Sequence, residues 1–318
     1  NVPGAEDIAK AHQRIQPYIH RTPILSSQSL NEITGARLFF KCENFQKAGA
    51  FKSRGACNAV FSLKENELQN GVCTHSSGNH AQALARAARL RGIRAYIVMP
   101  SNAPAVKVEA VKNYGGEITF CLPTLAAREE TLQEVVSATG AKEIHPYNDP
   151  VIISGQATAA REAFEECNDP DYILAPVGGG GLLSGTALAT AYYSENTLVL
   201  GAEPQGADDA YRSLQAGMIV PSLHPKTIAD GLLTSLGTHT FPIIRDYVNG
   251  ILTVSESSIL QAMKLIWERM KMITEPSGAV PLAAILENPH RFEGKKVILI
   301  ISGGNVDLDS LPFQSDHP

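Results

Sequence analysis

Four consecutive glycines, Gly178 to Gly181, separate two apolar stretches. The first, 172–175, reads as a strand that ends by Val177, and the second, from Leu182 to about residue 193, as a helix. A simple turn does not need four such residues, because each glycine loses more chain entropy on folding than any other residue. The run does let backbone N–H groups crowd around an anion, where a helix N-terminus adds partial positive charge. It is therefore read as a phosphate cup that needs no lysine or arginine. A strand–cup–helix unit belongs to α/β folds, whose ligands sit beyond the carboxyl ends of parallel strands. A dinucleotide site is the rival reading, since Glu203 follows the next strand, 198–202, about where a ribose-binding acid would stand. Against it, every register of Gly-x-Gly-x-x-Gly over Gly178 to Gly185 puts Leu or Ser in a required glycine position.

The same alternation runs through the rest of the chain. Strands are expected at 38–41, 71–74, 95–99 and 117–121, and later at 251–254 and 296–301. Helices are expected at 8–19, just after Ser26, at 57–63, 81–91, 106–113 and 126–138, then at 156–166 and 258–272. The predicted fold class is α/β with two lobes, each an open, mostly parallel twisted sheet flanked by helices. Residues 67–146 form the expected small domain, and 1–66 with 147–318 a discontinuous large one. With 44% hydrophobic and 19% charged residues, the chain has a core to bury and reads as an ordinary globular protein. A net charge of −5 gives no support for a nucleic-acid or anionic-membrane partner, and no apolar run is long enough to span a bilayer. Five scattered cysteines without a Cys-x-x-Cys pair read as reduced thiols in a cytoplasmic protein.

Three further segments carry chemistry. Gly49-Ala50-Phe51-Lys52-Ser53-Arg54-Gly55 places one lysine between an aromatic ring and small residues, in an expected loop. Apolar surroundings disfavour an ammonium, and a neutral amine can attack an aldehyde and hold it as a Schiff base. Ser76-Ser77-Gly78-Asn79-His80 lies between a strand and a helix. Ser77 or Asn79 could simply cap that helix, or its free N–H groups could hold a carboxylate while Asn79 donates to a phenolate and a serine acts as acid/base. Ser302, after the most apolar strand, could bond a pyridine nitrogen without protonating it. Glu203 and Asp209, with a carbonyl such as that of Ala207, suit a hard divalent cation, although a solvated acidic loop would have the same spacing. The histidines lack zinc-ligand spacing, and the chain contains neither a P-loop nor a Gly-x-Ser-x-Gly elbow.

Together these motifs, with Thr227-Ile228-Ala229-Asp230-Gly231, Glu268-Arg269-Met270-Lys271 and Ser302 to Asp307, resemble the serine racemase and dehydratase branch of the fold type II (tryptophan-synthase-β-like) pyridoxal-phosphate enzymes. The resemblance covers nearly the whole chain. It implies that Lys52 carries pyridoxal 5'-phosphate and acts as base on one face of the substrate Cα, with Ser77 as acid/base on the other. It implies cofactor contacts from Phe51, Asn79, Gly178, Gly179, Gly180, Gly181, Leu182 and Ser302. Substrate contacts fall to Ser76, Ser77, Asn79, His80 and, when the mobile small domain closes, Arg128. Glu203, Ala207 and Asp209 match a site for a divalent cation (Mg, Ca or Mn). Ser27, Gln28, Ser29, Lys47, Ala48, Gln82, Tyr114, Lys271 and Asn305 match the region where ATP acts as allosteric effector near a homodimer interface. Threonine dehydratases usually carry alanine where this chain has Ser77, so the hydroxyl favours racemisation. Ala48 and Gln28 replace hydroxyl residues of the animal pattern, and Tyr147 replaces an asparagine near the cofactor. The implied activity is interconversion of L- and D-serine together with elimination to pyruvate and ammonia. The alternatives are a threonine/serine or threo-3-hydroxyaspartate dehydratase with little racemisation and, in another class, an NAD(P)-dependent oxidoreductase.

Overall fold

The computed structural model describes residues 1–313. Helix α1 (Ala5–Ile15) turns Ile8, Ala11 and Ile15 inward. It stops four residues short of the expected end, and Tyr18 beyond it stacks on Phe61 with ring centroids 3.8 Å apart. Strand β1 (Ile24–Leu25) pairs antiparallel with β2 (Arg37–Cys42), and between them lies α2 (Gln28–Thr34), capped by Ser27. Two short 3-10 turns lead to α3 (Lys52–Ser62). The lysine expected in a loop is thus the first residue of a helix. Ser53 and Gly55 are weak helix formers, which hides this start from propensity arguments. The helix is held by a neighbour instead: Gln156 Oε1 accepts the Gly55 N–H at 3.0 Å. A Cβ on Gly155 would stand 2.7 Å from Gly55 Cα, so the two helices cross on glycine.

After α4 (Glu65–Leu68), the chain builds a four-stranded sheet from β3 (Val72–His75), β4 (Ala95–Pro100), β5 (Glu117–Cys121) and β6 (Lys142–Glu143). The order is β5-β4-β3-β6, and every pairing is parallel. Its helices are α5 (Asn79–Arg91), α6 (Ala105–Asn113) and α7 (Leu125–Thr139). Helix α5 presents Ala81, Leu84 and Ala88 to a core shared with Ala56 and Val60 of α3. By contrast, α6 buries only Val111 and α7 only Leu132.

The remaining chain completes a six-stranded sheet. Its elements are α8 (Pro150–Glu166), β7 (Tyr172–Pro176), α9 (Gly181–Tyr193), β8 (Leu198–Pro204), α10 (Asp209–Ala216), α11 (Thr240–Tyr247), β9 (Gly250–Val254), α12 (Glu256–Met270), α13 (Pro276–Glu287), α14 (Pro289–Phe292) and β10 (Lys296–Ile301). Helix α8 begins six residues before the expected start, because Asp149 Oδ1 accepts from the Val151 and Ile152 amides and Pro150 opens the first turn. Helix α13 escaped the sequence reading. It is buried on all sides and so shows no amphipathic stripe, and it contains Pro281.

The strand order is β1-β2-β10-β7-β8-β9, parallel except at β1–β2. Val297, Leu299 and Ile301 of β10 enter one core, with α12 and α13, while Ile298 and Ile300 enter the other, with α8, α9 and α11. A central strand covered on both faces must read as an unbroken apolar run, as this one does. From β7 the chain moves outward to β8 and β9, then returns to insert β10 between β7 and β2. That reversal is a topological switch point, and the carboxyl ends of β2, β10 and β7 open onto one crevice. No helix among the described residues is long and apolar enough to cross a membrane. All five cysteines are free and buried.

Candidate active site

The crevice assembles from loops that leave these strand ends. The Phe51 amide donates to Ser302 O at 3.0 Å, and Ala50 bridges to Gly303, so the lysine loop lies against the segment after β10. Lys52 Nζ donates to Pro146 O at 2.7 Å and stands 5.2 Å from the Phe51 ring centroid. Burial without a carboxylate partner lowers its pKa to about 8. Tyr147, next to that carbonyl, lies over the glycine run: a Cβ on Gly179 would meet its ring at 2.4 Å. A Cβ on Gly178 would approach Leu232 Cα to 3.0 Å, and Gly180 has φ +91° at the N-terminus of α9. No side chain fits at these positions, so the backbone of the run stays bare at the N-terminus of α9. Leu182 and Ser302 are buried beside it.

At the end of β3, neither Ser77 nor Asn79 caps α5. Gly78 takes the cap position with no side-chain bond, and Ser76 Oγ accepts from the Gly78 amide at 3.2 Å. The first amides of a helix without a side-chain cap are available to a carboxylate. Asn79 instead holds the segment in place. Its Nδ2 donates to Glu275 Oε1 at 2.9 Å and Oε2 at 3.2 Å, and its Oδ1 accepts from Asn305 Nδ2 at 2.8 Å. Glu275, absent from the sequence-based site, is buried, and that burial followed by the charge of Asp230 raises its pKa to about 8. A lone Glu before a proline carries no motif that could have flagged it.

The His80 ring, in the segment assigned to the substrate, is held by the protein itself. It is buried and bonded through Nε2 to Ile144 O at 3.0 Å, and burial lowers its pKa to about 3. The neutral ring braces the segment between β6 and Pro146, which leaves the backbone N–H as the group able to meet a ligand. Arg128 lies on α7 beside His75, with Nε buried and unpartnered.

The residues assigned to an effector are only partly brought together. Asn305 Nδ2 also donates to Ala48 O at 2.8 Å, and a Cβ on Gly49 would stand 2.2 Å from Asn305 Oδ1. Gln82 is buried on α5, which packs on the turn Lys47–Gly49. Ser27 is occupied in capping α2, Gln28 Nε2 donates to Glu32, and Ser29 follows in the same helix. Lys271 ends α12 with φ +58°, and Tyr114 ends α6.

Glu203, Ala207 and Asp209 lie at the end of β8, all buried. The acidic loop expected there is therefore not solvated. Glu203 accepts from the Ala210 and Tyr211 amides, at 2.9 Å each. Both Asp209 oxygens are buried without a side-chain or backbone donor in hydrogen-bond geometry. Desolvation raises Glu203 to about 9 and Asp209 to about 7. Two buried carboxylates with unspent lone pairs and an adjacent carbonyl fit a hard cation.

An amine of lowered pKa beside a side-chain-free glycine run, at the switch point of a parallel sheet, suits a phosphorylated aldehyde cofactor. The chain belongs to the pyridoxal-phosphate dependent enzyme family, whose model matches residues 15–303. It is 53% identical to β-hydroxyaspartate dehydratase of Paracoccus denitrificans (strain Pd 1222), covering 98% of this chain and 99% of that one. The crystal structure of serine racemase from Dictyostelium discoideum superposes with TM-score 0.92 at 51% identity, covering 96% of this chain and 99% of that one. The maize serine racemase superposes with TM-score 0.95 at 48% identity, over 97% and 95% of the two chains. The family match displaces the nicotinamide alternative, and the glycine cradle and Lys52 fit the cofactor.

Proposed function

We propose that this enzyme racemises serine and also eliminates water from it, giving pyruvate and ammonia. The observation that carries the proposal is a Lys52 amine whose pKa burial lowers to about 8, in a chain that keeps a hydroxyl at Ser77 before an uncapped helix. Bound pyridoxal phosphate supplies an electron sink that acidifies the Cα–H of the amino group's carbon. In the loaded enzyme the amides of Gly178 to Gly181 would hold the phosphate, and Phe51 and Ser302 would contact the ring. The free amides at the start of α5 orient the substrate carboxylate. Lys52 then moves the Cα proton on one face. If Ser77 returns a proton on the opposite face, configuration inverts. If the β-hydroxyl leaves first, the enamine released is hydrolysed to pyruvate and ammonia. Asn79, fixed by Glu275 and Asn305, sets the position of the Ser77 turn relative to the lysine loop.

Ser77→Ala should lower D-serine formation from L-serine by about 10²–10⁴-fold, the range for loss of a general acid/base. Pyruvate formation from L-serine should fall by no more than about tenfold. Parallel assays of D-serine and pyruvate read both, and equal losses would end the two-face assignment. The 53% identity to a β-hydroxyaspartate dehydratase favours a second reading, elimination from threo-3-hydroxyaspartate, which comparing kcat/KM on the two substrates decides.

Cofactor uptake by the apoprotein gives an independent check. Attack on an aldehyde needs the neutral amine. Uptake at fixed pyridoxal phosphate, followed by visible absorbance, should therefore rise with pH to a midpoint near the Lys52 pKa of about 8. A midpoint near the ordinary lysine value would contradict the buried environment.

Glu203, Ala207 and Asp209 are proposed to hold Mg, Ca or Mn. ATP is proposed as effector through the Asn305–Ala48 region, and a cytoplasmic homodimer as the working form.

A further inference from the structure

The two sheets touch in different ways on different sides of the crevice. Helices α5 and α3 share a continuous apolar core. Helix α6, by contrast, packs on α5 and β5 and buries only Val111. Its tie to the other sheet is charged: Lys107 Nζ lies 2.5 Å from Asp230 Oδ2. Among the described residues this is the only ion pair that joins an element of β3–β6 and their helices to the part of the chain after Pro150.

Asp230 is not on an ordinary surface loop. It opens the 3-10 turn Asp230–Leu232, whose Gly231 amide donates to Ser277 Oγ at 3.1 Å. Gly231 and Leu232 form the wall against which Gly178 fits, with no room there for a Cβ. Lys107 therefore grips the outer side of the phosphate cup. Both charges also reach the buried Glu275, which holds Asn79. The bond is open to water, with side-chain exposures of 27% for Lys107 and 54% for Asp230. Such a pair is weak and sensitive to salt. A weak bond suits a contact that must form and break during turnover.

We infer that the Lys107–Asp230 ion pair is a latch between the two sheets, holding α6 against the wall of the glycine cup and controlling how often the crevice opens. Opening separates α6 from that wall, while the α3–α5 core stays packed as the hinge side. The pair touches no reacting atom in this scheme; it positions one half of the site against the other.

The test uses the cofactor-loaded protein and hydrogen–deuterium exchange, which reads opening without reference to turnover. Lys107→Met and Asp230→Asn should each raise exchange in the 101–116 segment about two- to fivefold at low salt, the range for losing one exposed pair. Exchange in α3 should not change. Raising salt from about 50 mM to about 500 mM should accelerate the unmodified protein toward the variants and leave the variants unmoved. The charge-swapped double variant, Lys107→Asp with Asp230→Lys, should recover slow exchange. Exchange unaltered in both single variants, or a swap that fails to recover, would overturn the latch. Equal acceleration in α3 would overturn it too, because that marks general loosening.

Discussion

Lys52→Ala is expected to reduce racemisation and elimination together by at least about 10³-fold, and to leave purified protein that releases its cofactor on dialysis. The reason lies in the balance of charge forms at Nζ. At pH 7 a lysine with the ordinary pKa of 10.5 is neutral in only about 0.03% of molecules, whereas one at about 8 is neutral in about a tenth. Burial thus raises the nucleophilic fraction about 300-fold. Pro146 O accepts one hydrogen bond from Nζ and supplies no negative charge, so no counter-charge returns the pKa to the ordinary lysine value. Lys52→Arg is the companion experiment. It preserves length and charge but cannot form the covalent link, so it should match alanine in activity while retaining the fold. Borohydride reduction followed by peptide mass analysis should mark residue 52 in the unmodified protein and leave both variants unmarked. Turnover surviving in either variant, or a mark on another lysine, would remove Lys52 from the chemistry.

The parts of this site that were legible in the sequence are those made by uninterrupted local patterns. The glycine run is a single stretch, and its strand and helix flank it directly. Lys52 announces itself through Phe51 and the small residues around it. What stayed hidden depends on long-range pairing. Asn79 reads locally as a helix cap or a ligand to the cofactor, yet its amide is committed to Glu275 and Asn305, 196 and 226 residues away. His80 sits in a motif read as a substrate contact, but its ring is buried and bonds Ile144 O, 64 residues away. Helix α13 has no polar face, so periodicity had nothing to detect. The acidic pair at 203 and 209 was legible as donors but not as buried groups, because burial is set by long-range packing and not by their spacing.

Arg54→Met is expected to cost about 3–5 kcal/mol of stability, although the residue lies outside the reacting groups. Arg54 is fully buried two residues after Lys52. Its guanidinium grips Glu43 through Nε at 2.8 Å and Nη2 at 2.7 Å, and Glu162 through Nη1 and Nη2, both at 2.8 Å. Lys41 Nζ completes the set, 2.7 Å from Glu162 Oε2 and 2.8 Å from Thr22 O. Two cations and two anions balance where water cannot reach, tying α3 to β2 and α8. Removing Arg54 leaves two buried carboxylates facing one ammonium. In the intact protein burial pushes the Glu162 pKa up, but Arg54 and Lys41 overcome it and hold it at about 2. Its stabilisation is therefore complete above the ordinary glutamate pKa and is lost as pH falls toward 2. Without Arg54 an orphaned carboxylate takes a proton more readily. The stability gap between variant and parent should then shrink as pH is lowered from 8 to about 5. Urea unfolding at both pH values measures that gap. Adding Glu43→Gln to Arg54→Met should recover part of the loss, since it removes one unpaired charge. A gap independent of pH, or one that the second substitution widens, would mean that Arg54 acts through packing volume and not through its charge.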